Sequence, residues 1–222
     1  MTDTATAERA HAPTDRTRLR RAHERGHYDR ATIDAILDAM PLCHIGFSVD
    51  GKPAVLPTIQ WREGDRVYWH GSSASRMLRA AAGAPVCLTV TIFDGLVLAR
   101  SAFHHSANYR SVVVYGTAEP VAPEDKARHL DRFMEGLLPG RIAQMRAMTD
   151  QEIKATTVLS MPLDEASAKI RTGPPVDDEE DYGDPVWAGV LPFRTQTLAP
   201  IPCPRLLDGL EVPDAVRDFK MG

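Results

Sequence analysis

The segment after a predicted strand that ends in Trp69-His70-Gly71 carries residues suited to holding an anion. Ser72, Ser73 and Ser75 supply hydroxyl groups and lead, with Arg76, into a predicted helix. Free N–H groups and the dipole at a helix N-terminus favour an anion, and an arginine adds a bidentate contact to phosphate. Serine before a helix is also a common N-cap. The segment therefore predicts either a local phosphate site or an ordinary helix start.

A second polar segment, residues 103–111, contains His104, His105, Arg110 and Ser111. Adjacent histidines on a strand point to opposite faces, so they do not bind one metal ion together. Arg110 opens a strongly apolar strand, where a guanidinium is costly without an anion. That anion could belong to a ligand or to a carboxylate at the edge of the sheet. No metal site is predicted, because the chain lacks HExxH and its carboxylates cluster in the acidic stretch 177–184.

Several other chemistries lack their motifs. The chain has no GxSxG, no P-loop and no GxGxxG, which argues against a serine hydrolase, a nucleoside triphosphatase and a Rossmann dehydrogenase. Cys43, Cys87 and Cys203 are far apart and show no CxxC spacing. They predict reduced cysteines rather than a disulfide framework.

The elements that position these residues alternate between short apolar runs and turns. Asp50-Gly51 and Asp94-Gly95 each predict a hairpin, the second with a return strand over 96–102. A helix is predicted on each side of this region, from the apolar spacing of residues 33–40 and 130–138. The pattern predicts a mainly β fold: a six-stranded antiparallel barrel with flanking helices. It occupies residues 29–195, between a flexible basic arm (1–28) and a proline-containing tail (196–222).

The overall charge of the chain restricts its partners. The 222 residues carry 26 basic and 30 acidic side chains, a formal net charge of −4, which predicts no nucleic-acid or membrane partner. No apolar run approaches the roughly 18 residues of a membrane span, and the first thirty residues contain no apolar signal core. A cytoplasmic protein is predicted.

The order of these motifs resembles that of the pyridoxamine 5′-phosphate oxidase-like, FMN-binding split-barrel family. The resemblance is strongest to its flavin-nucleotide-binding branch, related to the Nim-type nitroimidazole-resistance reductases. It rests on four stretches in order, which together span about residues 25–195: 43–47, 69–72, 103–112 and 165–190. The resemblance implies a Greek-key split barrel and a homodimer with FMN in a cleft between two barrels.

The resemblance also assigns roles to individual residues. Arg76 is similar to the basic phosphate clamp of the oxidases. Ser73 and Ser75 are implied to assist it, and Gly71 is implied to contact the cofactor. Further cofactor contacts are implied for the following residues: Thr58, His70, Arg110, Ser111 and Trp187. Trp187 could instead pack at the dimer seam. The substrate signature Arg-x-His of the oxidases is missing, so oxidation of pyridoxamine phosphate is not expected.

Three functions follow as hypotheses. The first is an FMN-dependent oxidoreductase acting on a small organic substrate, with His70 as the catalytic proton donor or acceptor. The second is a non-catalytic flavin- or haem-binding sensor on the same barrel, with His104 or His105 as axial haem ligand. The third is a structural dimer that has lost its ligand. FAD, a deazaflavin and haem stay open as alternatives to FMN.

Overall fold

A computed structural model describes residues 13–221 of the chain. Ten strands and five α-helices follow one another in the chain. They are β1 (Gly26–His27), α1 (Arg30–Ala39), β2 (Leu42–Val49), β3 (Lys52–Glu63), β4 (Arg66–Ser72), α2 (Arg76–Ala81), β5 (Pro85–Leu98), β6 (Ser106–Thr117), β7 (Glu119–Pro120), α3 (Lys126–Leu137), α4 (Asp150–Ala155), β8 (Thr156–Pro162), β9 (Ala166–Arg171), β10 (Gly189–Pro192) and α5 (Asp214–Arg217).

All strands pair antiparallel, in the order β1-β9-β6-β5-β2-β3-β4-β8-β7, with β10 added to β5. The order β5-β2-β3-β4 is a Greek key, since β5 returns to pair with the first strand of the meander. Inward side chains from β2, β4, β5, β6, β8 and β9 form one buried cluster, which shows that the sheet curls around a single core. The predicted mainly β fold with flanking helices is confirmed.

The first hairpin forms as predicted. Asp50 and Gly51 both have positive φ, 52° and 74°, and Val49 pairs directly with Lys52 across the turn. These angles match the tight two-residue turns that favour Asp-Gly.

The second predicted hairpin is wrong. Asp94-Gly95 forms a bulge within β5, which continues to Leu98 along the same neighbour, β6. The physical reason is β10, which pairs with β5 from Gly95 to Leu98 and supplies hydrogen bonds on the other side. A Cβ on Gly95 would lie 2.6 Å from the Leu191 carbonyl oxygen, so the glycine permits this close approach.

The described part of the predicted flexible arm, residues 13–28, lies on the barrel instead of extending away from it. Thr17 is buried, Arg16 pairs with Glu165, and β1 pairs with β9. Among the residues described, no helix is long and apolar enough to cross a membrane. The boundaries at 28 and 195 stay predictions.

We expect Gly95→Ala to lower the free energy of unfolding by about 1–3 kcal/mol, because the new methyl group meets backbone that cannot move away. Urea denaturation measures the change. Gly136→Ala is the matched control, since nothing lies within 4 Å of its Cβ position in α3, and it should gain roughly 0.5–1 kcal/mol. Equal effects of the two substitutions would contradict the importance of the bulge.

Candidate functional site

A cavity of about 450 Å³ lies between the outer face of β4 and the helices α3 and α4, and His70 faces into it. The rest of its wall is mainly apolar and rich in methionine. The apolar lining residues are Ala127, Leu130, Phe133, Met134, Ile142, Met145, Ala147, Met148 and Ile153. We call it the His70 cavity. Three polar residues, Asp131, Arg146 and Thr156, complete it.

The imidazole of His70 is held by aromatic neighbours and lacks a polar one. Its ring centroid lies 5.7 Å from that of Trp61 and 5.1 Å from that of Phe133. Its Nδ1 atom is buried and has no hydrogen-bond partner among the described residues. Burial lowers the pKa of His70 below its ordinary value, so the ring is neutral at pH 7. Its unprotonated ring nitrogen can therefore donate an electron pair to the metal of a cofactor, or accept a proton from a substrate.

The bend between β4 and α2 contains the ordinary helix start that was one of the two explanations its sequence left open. Ser75 is the N-cap of α2, with Oγ accepting from the Leu78 N–H at 3.5 Å. Ser73 and Arg76 are exposed. The guanidinium of Arg76 has no hydrogen-bond acceptor or carboxylate partner within the described part of the chain. A free cation beside an exposed serine is available for an anionic ligand.

The side chains of Arg110 and Ser111 bond to other groups of this chain, in a part of the barrel away from His70. Arg110 forms a two-pronged ion pair with Asp94, at 2.8 and 2.9 Å, and lines a different cavity of about 860 Å³. The Ser111 hydroxyl donates to the Lys169 carbonyl at 3.3 Å. Both lie on β6, whereas His70 lies on β4 and the two strands are not neighbours. The anion that Arg110 requires is thus a carboxylate of this chain.

The remaining predicted contact residues are dispersed. Gly71 lies next to His70 in β4, and Thr58 is half-buried in β3. Trp187 leaves 69% of its surface exposed. The structure therefore groups His70, Gly71, Ser73, Ser75 and Arg76 along one short segment. It leaves Arg110, Ser111 and Trp187 outside that group within a single chain.

The two adjacent histidines do not lie in an apolar enclosure. His105 is exposed, and its Nδ1 lies 2.8 Å from the Ser101 carbonyl oxygen. His104 Nε2 lies 3.3 Å from Asp178 Oδ2. These contacts hold both histidines against polar groups of the same chain. The buried thiol of Cys43, whose pKa burial raises to about 12, is not a nucleophile.

The wall of the His70 cavity was only partly foreseeable. The apolar positions of α3, including Phe133 and Met134, were predictable as one helix face from their spacing. That they cover His70 depends on where the long β6–β8 connection folds back, which no local pattern encodes. Met145 and Met148 lie in irregular chain and give no periodic signal.

A family model described as "Pyridoxamine 5'-phosphate oxidase" matches residues 29–170. Two solved structures are similar over most of their length. The flavocytochrome Anf3 from Azotobacter vinelandii is 50% identical, covers 96% of this chain and 100% of its own, and gives a TM-score of 0.92. The FAD and haem binding protein from Mycobacterium smegmatis is 38% identical, covers 89% and 98%, and gives a TM-score of 0.85.

A more distant structure shows the fold alone. The 5-nitroimidazole antibiotic resistance protein of Bacteroides thetaiotaomicron is 22% identical, with coverage of 65% of this chain and 86% of its own and a TM-score of 0.54. The comparison with curated proteins found no match.

We expect the stability of the protein to fall between pH 7.5 and pH 5.5 in a manner that depends on His70. Because its folded pKa is lowered, the unfolded chain takes up a proton near pH 6.5 that the folded chain does not, and acid favours unfolding. The slope from this one group is at most about 1.4 kcal/mol per pH unit. Urea denaturation of wild type and His70→Gln at both pH values measures it. His105→Gln is the exposed control, and an unchanged slope in His70→Gln would refute the prediction.

Proposed function

Because the chain belongs to the pyridoxamine 5′-phosphate oxidase family, we propose that it is a redox protein that binds both a flavin and haem, with His70 as the haem ligand. The observation that carries this proposal is the buried, unpartnered Nδ1 of His70 in an apolar cavity. Two proteins of similar sequence and structure support it, since the one from Azotobacter vinelandii is a flavocytochrome and the one from Mycobacterium smegmatis binds FAD and haem.

The residues of the His70 cavity fit a haem by their chemistry. A neutral imidazole is a common axial ligand of haem iron, and a lowered pKa keeps it unprotonated. The apolar, methionine-rich wall excludes water and packs against a flat apolar macrocycle. Arg146 at this cavity supplies a cation for an acidic substituent, although Glu152 shares it. A bound haem would supply a one-electron centre.

The bend at Ser73 and Arg76 fits the phosphate that FMN and FAD have in common. Arg76 has no carboxylate partner in the described chain, so its charge is available, and the α2 N-terminus adds N–H groups. Gly71 and Ser75 belong to the same bend, and Thr58 of β3 is a further proposed contact. A bound flavin would supply two-electron chemistry toward a small organic substrate. In this proposal His70 acts as a ligand, and its alternative role is to accept a proton from the substrate.

A second copy of the chain would complete the flavin cleft. Strand β3 exposes apolar side chains on both of its faces, with Val55 at 63% and Ile59 at 36% exposure on one and Leu56 at 46% on the other. The segment after β10 also exposes large apolar side chains, including Leu198 and Ile201. A homodimer would cover these surfaces. It would also bring Trp187 of one protomer within reach of the bend of the other, whereas Arg110 and Ser111 keep their bonds to Asp94 and Lys169 of their own chain.

We expect the purified protein reconstituted with haem to show a Soret band near about 400 nm. His70→Ala should abolish this band or shift it, because the axial ligand is lost. His104→Ala and His105→Ala are the matched controls and should leave the band unchanged. A Soret band that survives in His70→Ala and disappears in either control would place the haem elsewhere.

We expect Arg76→Ala to weaken flavin binding about tenfold or more, because one charge-assisted contact to phosphate is lost. Fluorescence titration with FMN, FAD and a deazaflavin measures the affinity and ranks the three. Arg79→Ala is the control, since Arg79 already donates to the Ala74 carbonyl at 2.7 Å. Equal affinities of wild type and Arg76→Ala, or tight binding by a monomer in sedimentation, would contradict the proposed cleft.

A further inference from the structure

A second cavity, of about 700 Å³, lies on the opposite side of Phe133 from the His70 cavity. We call it the Gln60 cavity. It is bounded by the end of α1, by β3, by α3 and by the chain after α5. Its lining includes Gln60, Trp61, Arg62, Arg132, Phe219 and Lys220. Its volume lies in the range of small-molecule sites, about 300–1,000 Å³.

Gln60 provides an unused hydrogen-bond acceptor in this cavity. Its side chain is 2% exposed, and its Nε2 donates to the carbonyl oxygens of Leu37 at 2.7 Å and Met40 at 3.0 Å. These two bonds fix which end of the amide is nitrogen. The Oε1 atom is buried and has no partner among the described residues. An unmade hydrogen bond of this kind costs about 1–3 kcal/mol, which a ligand with an N–H or O–H donor would recover.

The lining of the cavity also carries more basic than acidic side chains, with Arg62, Arg132 and Lys220 against Asp38. Arg62 is paired with Asp38 at 2.6 Å and lies 3.4 Å from Asp34. Arg132, by contrast, reaches only Glu63, at 3.7 Å from Nε, and its Nη groups have no acceptor in the part of the chain described. Lys220 has no carboxylate within 4 Å there either. These two cations favour an anionic group at the mouth of the cavity.

An aromatic wall connects the Gln60 cavity to the proposed haem site. Trp61 and Phe133 are in contact, with ring centroids 4.9 Å apart, and both line the Gln60 cavity. The same two rings flank His70. A planar ligand on this wall would therefore lie one aromatic side chain away from the imidazole, a short distance for electron transfer.

From these observations we propose that the Gln60 cavity binds a small organic anion with a planar ring and an N–H donor, and that this molecule is the substrate of the redox centre. Its donor bonds to Gln60 Oε1, and its acidic group pairs with Arg132 and Lys220. The substrate role rests on the proposed function, whereas the binding site stands on the geometry of the cavity alone.

The test uses nicotinamide mononucleotide as a probe, since it combines a planar ring, an amide N–H and a phosphate. Isothermal titration calorimetry on the full chain should show binding with a dissociation constant below about 1 mM. Nicotinic acid mononucleotide, which has a carboxylate in place of the amide, should bind at least about tenfold more weakly, because its ring substituent offers Gln60 no donor. No binding, or equal binding of the two nucleotides, would overturn the proposal.

Matched variants test which residues of the Gln60 cavity bind the nucleotide. Arg132→Ala and Lys220→Ala should each weaken the nicotinamide nucleotide about fivefold or more, and Arg205→Ala, an exposed arginine outside the cavity, should not. Gln60→Met should remove the preference between the two nucleotides; if this variant fails to fold, the two cation variants still decide the result. Unchanged affinity in both cation variants would refute the site.

The proposed redox function and the proposed ligand of the Gln60 cavity can be refuted independently of each other. His70→Ala should lose the haem spectrum and keep its affinity for the nicotinamide nucleotide. Binding without any flavin or haem spectrum in wild type would refute the proposed function and leave the cavity assignment intact. A normal haem spectrum without nucleotide binding would refute the cavity assignment alone.

Discussion

The structure depends on burying β4 on both of its faces. Trp69 points into the barrel and is completely buried, while its neighbours Tyr68 and His70 point outward beneath α3. An outer face of a barrel strand normally meets solvent, so this strand needs a helix to cover it. That cover is what removes water from His70 and lowers its pKa. The barrel core and the candidate site are therefore two sides of one strand.

Glu63 fastens this helix to the barrel. Its Oε1 accepts from Trp61 Nε1 at 2.9 Å and lies 2.8 Å from His129 Nδ1, a buried residue of α3. The His129 ring also stacks on Tyr68, with centroids 4.5 Å apart. Hydrogen bonds to a charged acceptor in a partly buried place are stronger than average. One carboxylate at the end of β3 thus sets the distance between α3 and β4, and with it the width of both cavities.

Prediction from the sequence succeeded for elements whose structure depends only on neighbouring residues. The turn at Asp50-Gly51 and the N-cap Ser75 both formed as their residues predict. It failed at Asp94-Gly95, because a hairpin and a bulge use the same residue types and only the distant strand β10 separates them. The sequence pointed to His70 as a candidate, but the wall that covers it and the Gln60 acceptor arise from contacts across more than twenty residues.

The two short end strands protect the sheet from unwanted growth. An uncovered edge strand presents free N–H and C=O groups to which another chain can add, and this is a common route to aggregation. At one end β1 covers β9 with a segment of only two residues, held further by the Leu19 N–H donating to Tyr28 at 2.9 Å. At the other end β7 finishes in Pro120, which has no N–H to offer. Gly26 and His27 thereby occupy an edge of β9 that would otherwise be open to strand addition.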